Sequence, residues 1–177
     1  LYQKRLVPED VRISCQETRP DLHVLHRKAG GFFGYGEHTG AIGVVTINLP
    51  RIAFQSGSGK EFYERLDHLM DLAARSLDTK RRVVSNLLKN GLYPYTACYL
   101  SDFDSHFSSI GVIGMNEAGL NAPWLRAGME SEKTRQFAVS VLNHMREKLI
   151  GYQLEYGTLW SGGNSGRVAT FRFARLD

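Results

Sequence analysis

The sequence predicts an α/β fold with parallel strands, and three observations lead to this prediction. Two apolar runs, residues 43–49 and 109–115, are bounded by turn residues, as is typical of strands in buried parallel sheets. Two long segments, residues 60–90 and 130–152, repeat apolar residues with the period of a helix. The chain therefore alternates strands with crossover helices, and we expect part of a barrel.

The first strand follows a glycine-rich segment, residues 30–40, which we interpret as a tight loop. Residues 43–49 form an unbroken apolar run, which predicts a strand that is buried on both faces. Asn48, Pro50 and Arg51 are residues that close such a run, so we expect the strand to end there.

The elements that follow are predicted from periodicity and from their boundary residues. The helix over residues 60–90 stops at Asn90-Gly91, and Pro94 prevents its continuation. The next strand is 109–115. The second long helix places one apolar face toward the core, with Ser131 as its predicted N-cap; that face consists of Phe137, Val141, Met145 and Leu149. A last strand is predicted at 170–175, where apolar and polar residues alternate.

Composition limits the classes of function. The chain has 177 residues, 42% of them hydrophobic, which is enough for one ordinary core. Its net charge of +4 comes from 22 basic and 18 acidic residues that are interleaved, so we expect no direct contact with nucleic acid. No apolar run approaches the roughly 18 residues of a transmembrane helix, and no signal segment is recognisable, so we expect a cytoplasmic protein without membrane contact.

Cysteines and histidines give little sign of a metal centre. Cys15 and Cys98 are far apart and have no CxxC spacing, which argues against a disulfide framework or a zinc site. The ordinary interpretation of either thiol is a small buried apolar residue. The six histidines are dispersed and lack a metalloprotease spacing, so we predict no metal site.

Three glycine-rich segments invite comparison with phosphate-binding motifs. Residues 55–60 lack the first glycine of a P-loop and have Glu61 where a serine or threonine is required, so a turn before a helix is the better interpretation. Residues 31–36 precede a strand, whereas a dinucleotide fingerprint follows one. Residues 161–166 could form a nest of backbone N–H donors for an anion or a plain flexible turn.

Several longer stretches together resemble the anaerobic, class III ribonucleoside-triphosphate reductases. The most specific is Gly-Val-Val-Thr-Ile-Asn-Leu-Pro-Arg at residues 43–51. The similarity also includes Cys15 and the charged segment after it. It covers nearly the whole chain. The further matching stretches are residues 30–34, 39–52, 94–96, 106–118 and 171–177, with Leu69-Met70 and Lys80-Arg81.

The resemblance implies a glycyl-radical enzyme with a ten-stranded α/β barrel, of which this chain supplies central and later strands. It implies that Cys15 lies at the tip of a finger loop inside the barrel and, as a thiyl radical, abstracts the 3′-hydrogen of ribose. Sulfur suits this role because its S–H bond is close enough in strength to a ribose C–H bond for reversible transfer. A barrel interior protects the radical because it excludes water and other hydrogen donors.

Under this resemblance, the loop before the last strand, residues 163–168, is expected to lie near the substrate. The candidate substrate-binding residues are Asn48, Asn116, Glu117, Asn164, Ser165 and Gly166. The chain departs from the family pattern at Gln16, where arginine commonly follows the cysteine. It also departs at residues 163–168, where the family typically has Ala-Thr-Pro-Ala-Glu-Gly.

We expect residues 1–177 to be a single segment of the catalytic barrel domain of a longer protein, with the finger-loop cysteine region at 11–40. The ATP-cone, the glycyl-radical domain and its four-cysteine zinc site are not recognisable in it, so we expect this segment alone to be inactive. The family implies no cofactor in this chain, a glycyl radical supplied by another segment, formate as reductant and an iron–sulfur, S-adenosylmethionine-dependent activase.

The partners implied by the resemblance are a ribonucleoside triphosphate substrate, nucleotide effectors, the activating enzyme and a second copy in a homodimer. A different class of function stays open beside catalysis. The segment could be a catalytically silent remnant that binds a nucleotide or a partner chain, or it could belong to another glycyl-radical enzyme.

Overall fold

The structure is a computed structural model that describes residues 40–164, together with Phe173 and Arg175. The finger-loop region predicted at 11–40 therefore lies outside the described residues except for Gly40. In chain order the elements are β1 (Gly40–Asn48), α1 (Leu49–Gln55), α2 (Gly59–Lys89), α3 (Pro94–Ala97), β2 (His106–Ile113), α4 (Met115–Asn121), α5 (Glu132–Tyr156) and β3 (Trp160–Asn164).

The three strands form one parallel sheet in the order β1-β2-β3. The predicted α/β fold is thereby confirmed. Each pair of strands is joined by a crossover that contains a long helix, as parallel pairing requires. Ile47 of β1 and Ile110 of β2 belong to the same buried cluster as Leu66 of α2 and Val141 of α5. We call the side of the sheet that these residues occupy the first face.

The opposite side of the sheet, which we call the second face, follows from the alternation of side chains along a strand. Val44 and Thr46 of β1 point there, as do Ser109 and Gly111 of β2, and Ser161 of β3 is the Cα partner of Ser109. The sequence predicted that β1 is buried on both faces, and this prediction is wrong on the second face at Val44. Val44 is 47% exposed because β1 lies at one edge of the described sheet.

Helix α2 forms where the apolar period predicted it. Leu66, Met70 and Leu77 recur on one face and are buried. Ser58 caps the first turn by accepting a hydrogen bond from the Glu61 backbone N–H at 3.3 Å, and the helix gives way at Asn90 to Gly91 in the left-handed conformation. The Gly-Ser segment before this helix is the turn that the sequence predicted.

Helix α5 also confirms its prediction, with a shift of two residues at the start and four at the end (130–152 predicted, Glu132–Tyr156 observed). Val141, Met145 and Leu149 face the core. Ser131 is the N-cap residue, but its side chain makes no capping hydrogen bond. The helix ends at Gly157, whose positive φ of 64° suits a glycine C-cap.

Two short helices, α1 and α4, were not predicted. The strands predicted at 43–49 and 109–115 are too long at their C-terminal ends. Leu49 is the first residue of α1, and Met115 is the first residue of α4. Pro50 favours this change because proline fits the first turn of a helix, where no N–H donor is needed. Pro94 acts in the same way: instead of only ending α2, it begins α3.

The C-terminal part of the chain differs from two predictions. Residues 161–164 belong to strand β3, so the described part of the predicted 161–166 loop is extended and paired with β2 rather than a turn. The predicted strand at 170–175 is wrong at Phe173 and Arg175, which are helical. Period-two alternation over so few residues does not distinguish a strand from a helix end.

Gly114 connects β2 to α4 in a conformation that other residues avoid, with φ of 73°. A Cβ at this position would also overlap the ring of Pro50. We expect Gly114→Ala to lower the free energy of unfolding by about 2–4 kcal/mol, since backbone strain and overpacking add. Thermal unfolding of the variant measures this loss.

Gly91→Ala is the matched control for that substitution. Gly91 has a similar φ of 76°, but nothing lies within 4 Å of its added Cβ. We expect it to cost about 1 kcal/mol from backbone strain alone. Equal losses at the two positions would contradict the importance of the contact between Gly114 and Pro50.

Within residues 40–164, no helix is both long enough and apolar enough to cross a membrane.

Candidate functional site at the carboxyl ends of the strands

The carboxyl ends of the three strands meet at one edge of the sheet. Asn48 at the end of β1 is the Cα partner of Ile113 at the end of β2, and Val112 is the partner of Asn164 at the end of β3. Helices α1 and α4 start at this edge and contact each other. In open and closed parallel sheets alike, ligands bind where the strands end in this way.

This edge brings together four of the residues that the sequence predicted for substrate binding. Asn48 ends β1, Asn116 and Glu117 lie in the first turn of α4, and the backbone of Asn164 ends β3. The other two predicted substrate-binding residues, Ser165 and Gly166, lie outside the described residues. The predicted catalytic residue, Cys15, lies outside them as well.

The two asparagines also hold the local structure. The side chain of Asn48 accepts a hydrogen bond from the Arg51 N–H at 3.3 Å and so caps α1. The side-chain oxygen of Asn116 accepts one from the Met129 N–H at 2.9 Å, which ties α4 to the connection before α5. Glu117 is exposed at the same edge.

The second face carries polar groups that sequence reasoning did not select. The hydroxyls of Ser109 and Ser161 are 2.7 Å apart, and the two side chains are 2% and 6% exposed. Both lie on the face opposite α2 and α5, with Val44 beside Ser109 on β1. The alternation of side chains along residues 109–113 could have assigned Ser109 to one face of the sheet. Its hydrogen bond with Ser161, which is 52 residues away in sequence, depends on the register between β2 and β3.

Arg81 is a buried cation at the opposite, amino end of the sheet. Its guanidinium donates hydrogen bonds to the backbone oxygens of Phe103 and His106 and to the Ser108 hydroxyl. Burial lowers the pKa of Arg81, while the charges of Asp104 and Asp78 oppose this shift. The interactions secure the chain where it enters β2, so we assign Arg81 a structural role.

A polar cluster joins α2 to α5. Asp67 lies 2.6 Å from the Nε2 of His144, and Lys148 is 3.2 Å from a carboxylate oxygen of Asp71. Tyr152 donates a hydrogen bond to Asp71. Burial opposes ionisation of Asp71, but the bonds from Tyr152 and Lys148 hold its pKa below the usual range. The cluster fixes one helix against the other and lies away from the carboxyl edge.

The start of α2, which resembles a phosphate-binding loop in composition, is occupied by its own carboxylate. Glu61 accepts a hydrogen bond from the Gly57 N–H at 2.8 Å and pairs with Arg65 at 2.8 Å. The bond from Gly57 and then the bond from Arg65 lower the pKa of Glu61. The helix terminus is therefore capped internally. Over residues 40–164, His, Cys, Asp and Glu side chains form no group of three arranged to hold a metal ion.

Parallel strands with crossover helices define a segment of an α/β domain. The family model for anaerobic ribonucleoside-triphosphate reductase matches residues 2–177, so nearly the whole chain takes part in the match. The chain belongs to the anaerobic ribonucleoside-triphosphate reductase family.

Individual relatives agree with this assignment. The chain is 28% identical over 162 residues to the anaerobic ribonucleoside-triphosphate reductase of Haemophilus influenzae, covering 81% of this chain and 23% of the relative. It is also similar to the anaerobic ribonucleotide reductase of Thermotoga maritima in a crystal structure with citrate in the active site. That similarity has a TM-score of 0.62 and 28% identity, and it covers 71% of this chain and 24% of the other.

A second crystal structure of the Thermotoga maritima reductase, in complex with dATP and CTP, is similar with a TM-score of 0.63 and 26% identity. The similarity covers 71% of this chain and 22% of the Thermotoga maritima chain. The chain thus spans about a quarter of the length of these relatives.

Proposed function

We propose that the protein containing this segment reduces ribonucleoside triphosphates to deoxyribonucleoside triphosphates without oxygen, by thiyl-radical chemistry. The observation that carries the proposal is the family match over residues 2–177. The parallel sheet supports it, because Asn48, Asn116 and Glu117 lie together at the carboxyl edge, where substrates of α/β enzymes bind.

Cys15 is the proposed hydrogen-transfer residue. Its sulfur radical takes the 3′-hydrogen of ribose, forming an S–H bond and leaving a carbon radical on the sugar. The 2′-hydroxyl takes up a proton and leaves as water, and formate gives one hydrogen atom and one electron to the sugar and becomes carbon dioxide. The hydrogen on sulfur then returns to the 3′-carbon and the thiyl radical is regenerated. A glycyl radical, made by an iron–sulfur and S-adenosylmethionine-dependent activase, supplies the unpaired electron to the thiol.

The proposed substrate-binding residues are the four at the carboxyl edge together with Ser165 and Gly166. Apart from the charged Glu117, these residues are small or are uncharged and polar, which suits close approach of a nucleotide to backbone and side-chain donors. The proposal includes nucleotide effectors, a homodimer and a cytoplasmic location. It also includes the domain assignment, in which residues 1–177 form one segment of the catalytic barrel and 11–40 contain the finger loop.

A second candidate is a catalytically silent segment that binds a nucleotide or a partner chain. The sequence at 163–168 favours it, because the residues there differ from the pattern that the family has before its last strand. The two candidates differ in whether product forms.

The test is product formation by the full-length protein. We expect anaerobic incubation with an activase, S-adenosylmethionine, formate and a ribonucleoside triphosphate to yield the matching deoxyribonucleoside triphosphate, measured by chromatography. A polypeptide limited to residues 1–177 should yield none under the same conditions. Nucleotide binding without product from the activated full-length protein would favour the silent candidate.

A further inference from the structure

Asn116 has a carboxamide of fixed orientation at the carboxyl edge of the sheet. Its side-chain oxygen accepts a hydrogen bond from the Met129 backbone N–H at 2.9 Å. Because an N–H group can donate only to the oxygen of a carboxamide, this contact determines which way the amide is turned. The NH2 group is the end of the side chain that is left for another partner.

The NH2 group of Asn116 is accessible and makes no hydrogen bond within the part of the chain that the structure describes. The side chain is half-buried, and its nitrogen reaches the surface. Asn116 lies in the first turn of α4, one residue after the turn that ends β2. Two N–H donors are therefore available to a ligand where the strands end.

The connection between α4 and α5 is built around this side chain. Gly128 leaves room for it, since a Cβ added there would lie 2.8 Å from the Asn116 oxygen and would also overlap the Glu130 carboxylate. Glu130 accepts a hydrogen bond from the Gly128 N–H at 3.1 Å, and the buried Thr134 donates one to the Ala127 oxygen at 2.9 Å. These contacts hold the backbone that anchors Asn116.

The charges beside Asn116 favour an uncharged acceptor. Glu117 is the next residue and is exposed, and the Glu130 carboxylate lies against Gly128, as the Asn116 oxygen does. Two carboxylates repel the phosphates of a nucleotide, whereas they do not repel the oxygens of its ribose or base. An N–H donor in these surroundings therefore suits the nucleoside part of the nucleotide better than its phosphates.

We propose that Asn116 donates a hydrogen bond from its NH2 group to a ribose or base oxygen of the nucleotide, and that the backbone of Gly128 and Met129 positions it to do so. This inference rests on the proposed function, because it takes a ribonucleoside triphosphate as the ligand. Gly128 has a positioning role, since it acts on the nucleotide only through Asn116.

Asn116→Asp separates the donor from the anchor. Aspartate keeps an oxygen that accepts the Met129 N–H, but it has no N–H to donate. We expect titration calorimetry of the full-length protein with CTP to show about 5- to 30-fold weaker binding in Asn116→Asp and in Asn116→Ala, the loss expected for one hydrogen bond. Only Asn116→Ala should lower the unfolding temperature. Unchanged CTP affinity in Asn116→Asp would overturn the proposal.

Asn121→Asp is the matched control, because it makes the same substitution on α4. Asn121 already uses its NH2 group within the protein, donating to the Pro50 carbonyl oxygen at 3.4 Å. It should leave CTP affinity unchanged. An equal loss in both aspartate variants would mean that added negative charge, and not the missing donor, weakens binding, and would overturn the proposal.

Titration with CDP and CMP tests which part of the nucleotide Asn116 contacts. The fold loss caused by Asn116→Asp should stay the same as phosphates are removed, since the contact is to the nucleoside part. A loss that disappears with the phosphates would overturn this assignment.

Gly128→Ala tests the positioning role. Its Cβ should displace the Asn116 carboxamide and weaken CTP binding, but it should cause no further loss when Asn116 is already alanine. Independent, additive losses would overturn the positioning role. Failure of product formation with the expected binding pattern would count against the proposed function alone. Product formation with wild-type affinity in Asn116→Asp would count against this inference alone.

Discussion

Replacing Cys15 with serine should abolish turnover in the full-length, activated protein while leaving nucleotide affinity and folding nearly intact. Serine is close in size to cysteine, but its O–H bond is too strong for reversible exchange of hydrogen with ribose. Even about 4 kcal/mol of added barrier slows a step roughly a thousandfold, and loss of the hydrogen carrier should exceed this. Product formation per enzyme, together with nucleotide binding by calorimetry, measures the two effects separately.

Cys98 provides the control for that substitution. The sequence suggested a buried thiol, but Cys98 is exposed beside α3, with its sulfur 3.3 Å from the Pro94 carbonyl oxygen. Cys98→Ser should therefore change stability by less than about 0.5 kcal/mol and leave turnover unchanged. Similar, modest effects of both substitutions would remove Cys15 from the catalytic role.

Replacing Arg81 with methionine should destabilise the start of β2 by about 2–4 kcal/mol. The side chain is only 7% exposed, and its loss leaves the Phe103 and His106 carbonyl oxygens without their guanidinium donors. Removing the desolvated charge offsets part of this cost, but the loss of donors to two part-buried acceptors outweighs the gain. Hydrogen exchange of the β2 amides, which reports local opening, measures the change.

Arg82→Met is the matched control for Arg81→Met. Arg82 is the next residue of α2, is exposed and forms a surface ion pair with Asp78 at 3.0 Å. Pairs of this kind contribute about 0–1 kcal/mol, so β2 protection should hardly change. If Arg82→Met lowers protection as much as Arg81→Met does, the contacts to Phe103 and His106 do not secure the strand.

The positions of the long elements were predictable because local physics determines them. Leu66, Met70 and Leu77 recur with the helical period, so burying them against a sheet requires the helix that is found. The alternation of such helices with apolar runs then requires parallel strands, since only a crossover of this length returns the chain in the same direction. The resemblance of residues 43–51 to the reductases was likewise contained in the sequence.

The ends of these elements were less predictable. Leu49 and Met115 are apolar and continue the strand pattern, yet both begin helices, because Asn48 caps one and Gly114 turns the chain before the other. The loop predicted at 161–166 became strand β3 up to Asn164, since pairing with β2 satisfies its backbone groups. No local signal shows that a partner strand will be present.

The sequence by itself determined the order of the first two strands and the two long helices, the family, and which residues are candidates for chemistry. Only the tertiary structure decided that Asn48, Asn116 and Glu117 share the carboxyl edge, and that Ser109 meets Ser161 on the second face. It also decided that Arg81 is buried although it lies on a charged stretch of α2. The physical reason is that these contacts depend on strand register and helix packing between distant segments, whereas periodicity reports only the neighbours along the chain.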